Sequence, residues 1–226
     1  MKPVLTAEKA VENIKDGSSL MVAGFMGCGN AFTLVDALIS KGSKDLTLIT
    51  SDTSFPEVGV GRLICQCRVK KLYATHIGTN PVSGQKMNCG DMAVTLVPQG
   101  TFNERIRAKG AGLGGILTPT GIGTAVEEGK QKLTIDGRDY LLELPLGAEF
   151  AFVKAEVCDT YGNCFLPMAT KNAAVSMAMA ADYVIVEAEK IVGPGEMDPE
   201  KVTIPGVFIS AIVKSTLPAS NLQLKA

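Results

Sequence analysis

The chain has 226 residues, of which 46% are hydrophobic and 20% charged, and its formal net charge is −1. This composition provides enough apolar residues for the core of a globular domain that folds without disulfide bonds or a structural metal ion. No apolar run reaches the length of about 18 residues that a membrane-spanning helix needs. The one basic cluster, RVKK at residues 68–71, fits the flank of a strand better than a nucleic-acid contact. We therefore expect neither a membrane protein nor a nucleic-acid-binding protein.

The N-terminal residues predict an amphipathic helix that is capped by Thr6 and ends near Lys15. This polar pattern differs from the charged start and apolar core of a secretory signal, so we expect a cytoplasmic protein. The six cysteines are too dilute for a disulfide framework, and with a single histidine in the chain their spacing does not match a zinc site. We expect free thiols and no bound metal.

Strands and helices alternate in the next hundred residues. The predicted elements are strands at 20–23, 46–50, 69–74 and 93–97, and helices at 33–40, ending before Gly42, and at 101–108. Short, continuously apolar strands are typical of a parallel sheet that is covered on both sides. The alternation therefore predicts an α/β fold, with an open, mostly parallel sheet and helices on both faces.

Residues 110–129 are rich in glycine but also apolar, which is typical of neither a regular element nor a solvated linker. Two interpretations stay open for this stretch: a packed surface loop, or a flap that forms one wall of a pocket. The dipeptide Asp136-Gly137, between LTI and RDYLLEL, predicts a hairpin with a two-residue turn. A hairpin in an otherwise parallel sheet would make that sheet mixed.

The α/β pattern resumes with a strand at 149–157, a helix at 171–181 and a strand at 183–187. No internal stretch is rich enough in proline, glycine and polar residues to separate two domains. We therefore expect a single domain over residues 1–226, with a loose tail at 216–226.

The turn that follows the first of these buried strands is the best candidate for a ligand site. Gly24, Gly27 and Gly29 lie between the strand at 20–23 and the next helix. Glycine lets the backbone approach a ligand, and the first amides of a helix can face a negative group. A tight connection without a ligand explains the pattern as well. The spacing matches neither a dinucleotide-binding turn nor a phosphate loop, which disfavours a nicotinamide or ATP site.

No complete set of catalytic residues is evident in the sequence. His76 is a candidate base, but a lone histidine without a partner at motif spacing is usually structural. The candidate carboxylates are Glu57, Glu104 and Glu143; for Glu104 an exposed ion pair with a neighbouring arginine is the simpler interpretation. The chain lacks a nucleophilic serine motif.

The segment DGSSLMVAGFMGCGNA at residues 16–31 resembles the signature of the alpha subunit of family I coenzyme A transferases. Gly24, Phe25 and Gly29 match that signature, whereas Ala23 and Ala31 replace its usual glycine and proline. Further segments resemble the same family in the same order: SDTSFPEVGVGRLI, HIGTNP, VPQGTFNERIRAKGAGLGG, TPTGIGTAVEEGK, YLLELPL and ADYVIVEAEKIV. The resemblance covers nearly the whole chain and is greatest to the acetate, butyrate and acetoacetate enzymes.

This resemblance implies ping-pong transfer of coenzyme A between an acyl-CoA and a carboxylic acid, without ATP. It places the nucleophilic glutamate on a beta subunit, so no catalytic nucleophile is assigned to this chain, whose only Glu-Asn pair, Glu12-Asn13, lies in the predicted first helix. Coenzyme A is then a substrate, and no tightly bound cofactor is expected. The implied partners are a beta subunit, in an assembly of two alpha and two beta chains, together with acyl-CoA and short-chain carboxylates.

We assign the coenzyme A or acyl pocket to the turn by this resemblance. The expected binding residues are Gly24, Phe25, Met26, Gly27, Cys28 and Gly29, and the expected substrate-pocket residues are Ser51, Gln99, Gly100, Gly112 and Gly114. Gln99 is a possible side-chain donor to a developing negative charge. Ser51 stands where many relatives have an asparagine near the substrate carboxylate, which leaves the preferred acid open. The alternatives are a non-catalytic stabilising subunit and a nucleotide-binding oxidoreductase.

Overall fold

The structure is a computed structural model, and it describes residues 1–217. The strands are β1 (Val4–Leu5), β2 (Ser19–Val22), β3 (Leu46–Thr50), β4 (Val69–Ala74), β5 (Ala93–Leu96), β6 (Ile116–Thr118), β7 (Lys132–Ile135), β8 (Arg138–Glu143), β9 (Ala148–Asp159), β10 (Cys164–Phe165), β11 (Ala181–Val192) and β12 (Ala211–Lys214). The helices are α1 (Ala7–Val11), α2 (Phe32–Lys41), α3 (Val60–Cys65), α4 (Pro81–Asn88), α5 (Gln99–Gly110) and α6 (Ala174–Ala180). No helix within the described range is long and apolar enough to cross a membrane.

Among residues 1–217, nine strands form the main sheet: eight in the order β1-β12-β11-β9-β2-β3-β4-β5, in which every neighbouring pair is parallel, and β10 beside them. β10 pairs with β9 in the antiparallel sense. From β2 the chain adds β3, β4 and β5 on one side, and from β9 it adds β11 and β12 on the other. The strand order therefore reverses between β2 and β9, and in open α/β sheets ligands bind at the carboxyl ends of the strands beside such a point.

Two hydrophobic cores cover the two faces of this sheet. Alternate residues of β2 point to opposite sides, so that Met21 packs in one core, with Phe102 of α5, and Leu20 in the other, with Leu38 of α2. All four of these side chains are fully buried. Burial of each such side chain stabilises the fold by about 1.5–3 kcal/mol. The predicted open, mostly parallel sheet with helices on both faces is confirmed.

The helix cap at Thr6, the helix end at Gly42 and the turn at Asp136-Gly137 are present where the sequence predicts them. The Thr6 side chain accepts a hydrogen bond from the amide of Lys9 and so caps α1, although α1 ends at Val11 rather than near Lys15. Gly42 ends α2 with φ at 89°. Asp136 and Gly137, with φ at 50° and 74°, form the two-residue turn between β7 and β8.

The expected place of the hairpin in the main sheet was wrong, although the main sheet is mixed, as predicted, because β10 runs antiparallel to β9. β7 and β8 join β6 in a separate three-stranded antiparallel sheet. The glycine-rich stretch 110–129 supplies β6 and a short 3-10 helix at 125–127, so it is more regular than its composition indicated. A strand of three residues is too short for a hydrophobic period to show in the sequence.

The described residues include the first two residues of the predicted tail, 216 and 217. The amide of Thr216 donates to the Oγ1 atom of Thr33 at 3.1 Å, and the carbonyl oxygen of Leu217 accepts from the Ser215 hydroxyl at 2.8 Å. The remainder of the predicted tail, residues 218–226, lies outside the described residues. The single-domain organisation stays a prediction.

All six cysteines have free thiols, and they differ in exposure. Cys158 and Cys164 are buried, whereas Cys67 and Cys89 are exposed. The hydrogen bond with the Cys158 thiol, and then burial, raise the pKa of the Cys164 thiol. We expect a thiol reagent at neutral pH to label Cys67 and Cys89 rapidly in the folded protein and to reach Cys158 and Cys164 only after unfolding. Peptide mass spectrometry checks this, and equally fast labelling of all four thiols would contradict the buried positions.

Candidate functional site

The turn that connects β2 to α2, residues 23–31, lies at the carboxyl edge of the main sheet. It follows β2 at the point where the strand order reverses. The connections after β3, β4 and β5 reach the same edge because these strands are parallel to β2. The predicted turn therefore lies where a ligand site is expected for this architecture.

Within the turn, Phe25 and Cys28 face each other and exchange two backbone hydrogen bonds, each 2.9 Å long. Met26 and Gly27 form the tip between them, with φ at 50° and 83°. A two-residue tip of this kind needs positive φ at both positions, which glycine adopts readily and methionine does not. The tip is thus a small, internally bonded hairpin with one strained residue.

The side chain of Asn30 joins this turn to the start of α3. Its Nδ2 atom donates to the carbonyl oxygen of Ala23 at 2.9 Å, and its Oδ1 atom accepts from the amide of Val60 at 3.1 Å. Asn30 is buried, and a Cβ atom on either Gly24 or Gly59 would overlap its amide group. The two glycines therefore leave the space that this buried amide occupies.

Asp52, two residues after β3, makes a second connection to the turn. Its Oδ1 atom accepts from the amide of Met26 and its Oδ2 atom from the amide of Ser54, both at 2.9 Å. Asp52 is buried, and burial raises the pKa of its carboxyl group, against the lowering effect of these two amides and of His76. The carboxylate therefore holds the tip of the turn to the connection after β3.

A polar cluster continues along the edge from Asp52. The Oγ1 atom of Thr75 lies 2.7 Å from the carbonyl oxygen of Ser51 and 2.6 Å from Oε1 of Gln99. Ser51 is buried and Gln99 is exposed. His76 is exposed, and its carbonyl oxygen accepts from the amide of Thr53 at 3.2 Å. Ser51, Gln99 and the lone histidine thus lie at the same edge as the turn.

The expected glycines on α5 and beyond are divided between two edges of the sheet. Gly100 is in the first turn of α5, at the carboxyl edge, where it lines a groove with Thr118 and Thr120. Gly112 lines a groove with Ser19 and Ala148, the first residues of β2 and β9. The structure therefore does not bring Gly112 to the turn, and Gly114 follows it in the connection to β6.

The backbone amides of the turn differ in whether they donate to the protein itself. Within residues 1–217, the amides of Phe25, Met26 and Cys28 donate to protein acceptors, whereas those of Gly27 and Gly29 have no protein acceptor. The α2 amide of Leu34 donates to the buried carboxylate of Glu187 at 3.2 Å. Over this range the protein thus leaves the amides of Gly27 and Gly29 unpaired, with Gly27 buried and Gly29 half-buried, whereas the Leu34 amide at the start of α2 is already bound by Glu187.

A cavity of about 210 Å³ lies beneath the turn. Its lining includes Cys28 and Gly29 of the turn, Phe32 at the start of α2, and Met168 and Thr170. Met168 is 85% exposed, so the cavity opens beside an apolar surface residue. Phe25 and Met26, at 41% and 37% exposure, present further apolar surface around the turn.

The carboxylates considered as candidate acids and bases lie elsewhere or are paired. Glu143 is buried in an ion pair with Lys130 at 2.5 Å and Arg105 at 3.6 Å, which fastens the small sheet to α5. Glu104 pairs with Arg107 at 2.7 Å on the exposed face of α5, as the simpler interpretation predicted. Glu57 is exposed in the connection after β3. In the part of the chain that the structure describes, no group of histidine, cysteine and acidic side chains could hold a metal ion.

Asn30, Asp52 and Thr75 were not predicted as site residues. Asp52 and Thr75 lie two positions and one position after the end of a predicted buried strand, and Asn30 lies seven positions after one, at the end of the glycine turn. Parallel strands bring their carboxyl ends to one edge of the sheet, so polar residues that follow such strands are expected to lie near one another. Their position after the strands was therefore the sequence signal that could have identified them.

The comparisons with known proteins agree with this architecture. The family model described as "Coenzyme A transferase" matches residues 4–215. The chain is 49% identical over 212 residues to "Acetate CoA-transferase subunit alpha" of Escherichia coli K12, covering 94% of this chain and 96% of the relative. It is 50% identical over 200 residues to "Acetoacetyl-CoA:acetate/butyrate CoA transferase alpha subunit" of Clostridium acetobutylicum, covering 88% and 92%.

Solved structures have the same fold. An acyl-CoA transferase of Escherichia coli O157:H7, solved as a thioester complex with CoA, superposes with a TM-score of 0.85 at 25% identity over 95% of this chain. The match covers 47% of that protein, so this chain spans about half of its length. Glutaconate coenzyme A-transferase of Acidaminococcus fermentans superposes with a TM-score of 0.82 at 18% identity, covering 94% of this chain and 75% of that chain.

Proposed function

Because the chain belongs to the coenzyme A transferase family, we propose that it is the alpha subunit of an enzyme that transfers coenzyme A between a short-chain acyl-CoA and a free carboxylate. The named relatives support acetate, butyrate and acetoacetate as the acids, since one is an acetate enzyme and another an acetoacetyl-CoA:acetate/butyrate enzyme. The relatives are alpha subunits, which implies a beta subunit as partner. We propose an assembly of two alpha and two beta chains, located in the cytoplasm.

In the proposed mechanism the partner supplies the nucleophile, a glutamate carboxylate. The carboxylate attacks the thioester carbonyl, coenzyme A leaves as the thiolate, and an acyl anhydride forms. The thiolate then attacks the glutamyl carbonyl, which gives an enzyme thioester and releases the first acid. The same two steps in reverse load coenzyme A onto the second acid. One thioester replaces another, so the reaction needs neither ATP nor a bound cofactor.

The proposed role of this chain is to bind the thioester and stabilise the negative charge that forms on its carbonyl oxygen. The observation that carries this role is the turn at the carboxyl edge, where the amides of Gly27 and Gly29 have no acceptor among residues 1–217. Fixed donors of this kind can each lower the barrier by about 2.7–4 kcal/mol. Gln99 lies at the same edge and adds a side-chain amide as a candidate donor. Phe25 and the cavity below the turn provide apolar surface for an acyl chain or the pantetheine arm.

We expect coenzyme A transfer from the copurified complex of this chain with its beta subunit, and none from this chain alone. The assay compares acetate, butyrate and acetoacetate as acceptors. After incubation with acyl-CoA, borohydride or hydroxylamine should modify a glutamate of the partner chain, which mass spectrometry identifies. Brisk transfer by this chain alone would overturn the division of roles. An active complex in which substitutions of Gly27 and Gln99 have no effect would instead favour a purely stabilising subunit.

A further inference from the structure

We infer that Asp52 is a positioning residue for the transfer reaction, because its carboxylate fixes the donor turn to the connection after β3. The inference rests on the proposed function of the turn. Asp52 itself is buried and need not touch substrate; it acts through the backbone of Met26.

Both residues whose amides Asp52 holds have a strained backbone. Met26 has φ at 50° and Ser54 has φ at 52°, and both are residues with a Cβ atom in the left-handed region. Such conformations persist only where surrounding contacts hold them, and they concentrate at functional sites. The two oxygens of one carboxylate each bind one of these two amides, at 2.9 Å. Asp52 is thus the direct contact between the two strained positions.

An ordinary local turn explains only half of this arrangement. An aspartate commonly accepts from the amide two residues further on, as Asp52 does from Ser54. The bond to Met26 joins residues that are 26 positions apart, across β3 and β2. A buried carboxylate is costly unless a cation pairs with it; none within residues 1–217 lies at ion-pair distance of Asp52, and burial raises the pKa of its carboxyl group. A neutral, smaller side chain would serve a local turn at lower cost, so the long-range bond is the part that needs a carboxylate.

The position of Met26 determines where the available amides point. Gly27 follows it directly, and the paired Phe25 and Cys28 carry the movement of the tip to Gly29. Donors of a developing oxyanion act only when they lie within hydrogen-bond distance of that oxygen. A small displacement of the tip is therefore expected to reduce turnover more than it reduces the binding of acyl-CoA.

The substitution Asp52→Asn tests this, since asparagine has the same shape but can accept at only one of its two side-chain atoms. In the complex with the beta subunit, we expect kcat to fall about 10- to 100-fold, the equivalent of one charge-assisted hydrogen bond, while KM for acyl-CoA changes less than about threefold. Amide hydrogen exchange of residues 23–31 should become faster in the same variant.

Asp159→Asn is the matched control. Asp159 is also buried, is the last residue of β9, and accepts from the amides of Tyr161 and Asn163, both at 2.9 Å. Its carboxylate holds a different turn, so kcat should stay within about twofold of wild type, with a similar loss of thermal stability to Asp52→Asn.

Several outcomes would overturn the inference. The inference fails if the Asp52→Asn complex keeps the wild-type kcat, or if kcat falls equally in the Asp52→Asn and Asp159→Asn complexes. It also fails if KM for acyl-CoA rises by as large a factor as kcat falls in the Asp52→Asn complex. An Asp52→Asn chain that does not fold would assign Asp52 to the structural core and overturn it as well. An inactive wild-type complex would contradict the proposed function instead. In that case amide hydrogen exchange of residues 23–31 tests Asp52 alone. An unchanged exchange rate in Asp52→Asn would then overturn its positioning role.

Discussion

Replacing Gly27 by valine is expected to abolish most turnover of the two-chain complex while the complex still assembles. Gly27 has φ at 83°, a conformation that β-branched residues almost never adopt. The substitution therefore displaces the tip and, with it, the Gly27 amide, and the paired Phe25 and Cys28 carry that displacement to the Gly29 amide. Loss of one such donor costs about 10²- to 10³-fold in kcat. Steady-state kinetics with acyl-CoA and acetate, together with size-exclusion chromatography of the complex, measure both parts of the prediction.

Gly90→Val is the matched control for this experiment. Gly90 has φ at 80°, nearly the same as Gly27, and no atom lies within 4 Å of the position of an added Cβ. It lies between α4 and β5, before the strand rather than after it, and so near the opposite edge of the sheet. The backbone strain is therefore similar but distant from the turn. If Gly27→Val left kcat near the wild-type value, or Gly90→Val lowered it equally, the turn would not be the donor site.

Replacing Lys154 by methionine is expected to lower the free energy of unfolding by about 3–5 kcal/mol, the usual cost of leaving one member of a buried ion pair alone. Lys154 on β9 and Glu187 on β11 are opposite each other in the sheet, 2.9 Å apart, and are 4% and 0% exposed. Glu187 also accepts from the Leu34 amide at the start of α2 and from the Ser215 hydroxyl. Without the ammonium group, the donors to the buried Glu187 charge from residues 1–217 are the neutral Thr33 and Ser215 hydroxyls and the Leu34 amide. Urea unfolding followed by circular dichroism measures the change.

Two further variants identify the cause of that change. Lys9→Met makes the same replacement in the exposed ion pair with Glu12 and should leave stability unchanged within error. The double variant Lys154→Met with Glu187→Leu removes both charges and should be more stable than Lys154→Met alone. A single Lys154→Met change that cost no more than Lys9→Met would show that the buried pair is not an energetic feature of the fold.

Among residues 1–217, six of the nine strands in the main sheet could be predicted because each has a local signal, whereas β1, β10 and β12, of two to four residues, were not predicted. β3 is a short apolar run of five residues, and α2 ends at a glycine that adopts positive φ. The separate small sheet could not be predicted, since β6 has three residues and its pairing with β8 bridges more than 20 positions. A hairpin signal specifies the pairing of its own two strands but not the sheet that they join.

The candidate site was predicted in part for the same reason. The glycines of the turn are visible in the sequence because their spacing interrupts an apolar strand, whereas Asp52 and Thr75 meet the turn only through strand order. Gly112 was expected beside the turn, but α5 has 12 residues and rises by about 1.5 Å per residue, which carries the chain about 18 Å toward the other edge. Adjacency in sequence to a helix end is therefore a poor guide to adjacency in space.

The order of the strands also bears on when the site can form during synthesis. β2 to β5, the glycine turn and Asp52 are all complete once residue 96 has left the ribosome, and they pair among themselves. The other side of β2 pairs only after β9 has been synthesised. β1 pairs only after β12, which follows it by more than 200 residues in the sequence. The edge of β2 that later pairs with β9 therefore stays unpaired while about fifty further residues are translated, although the glycine turn beside it is already formed. During this interval the exposed strand edge is a site that a chaperone can bind.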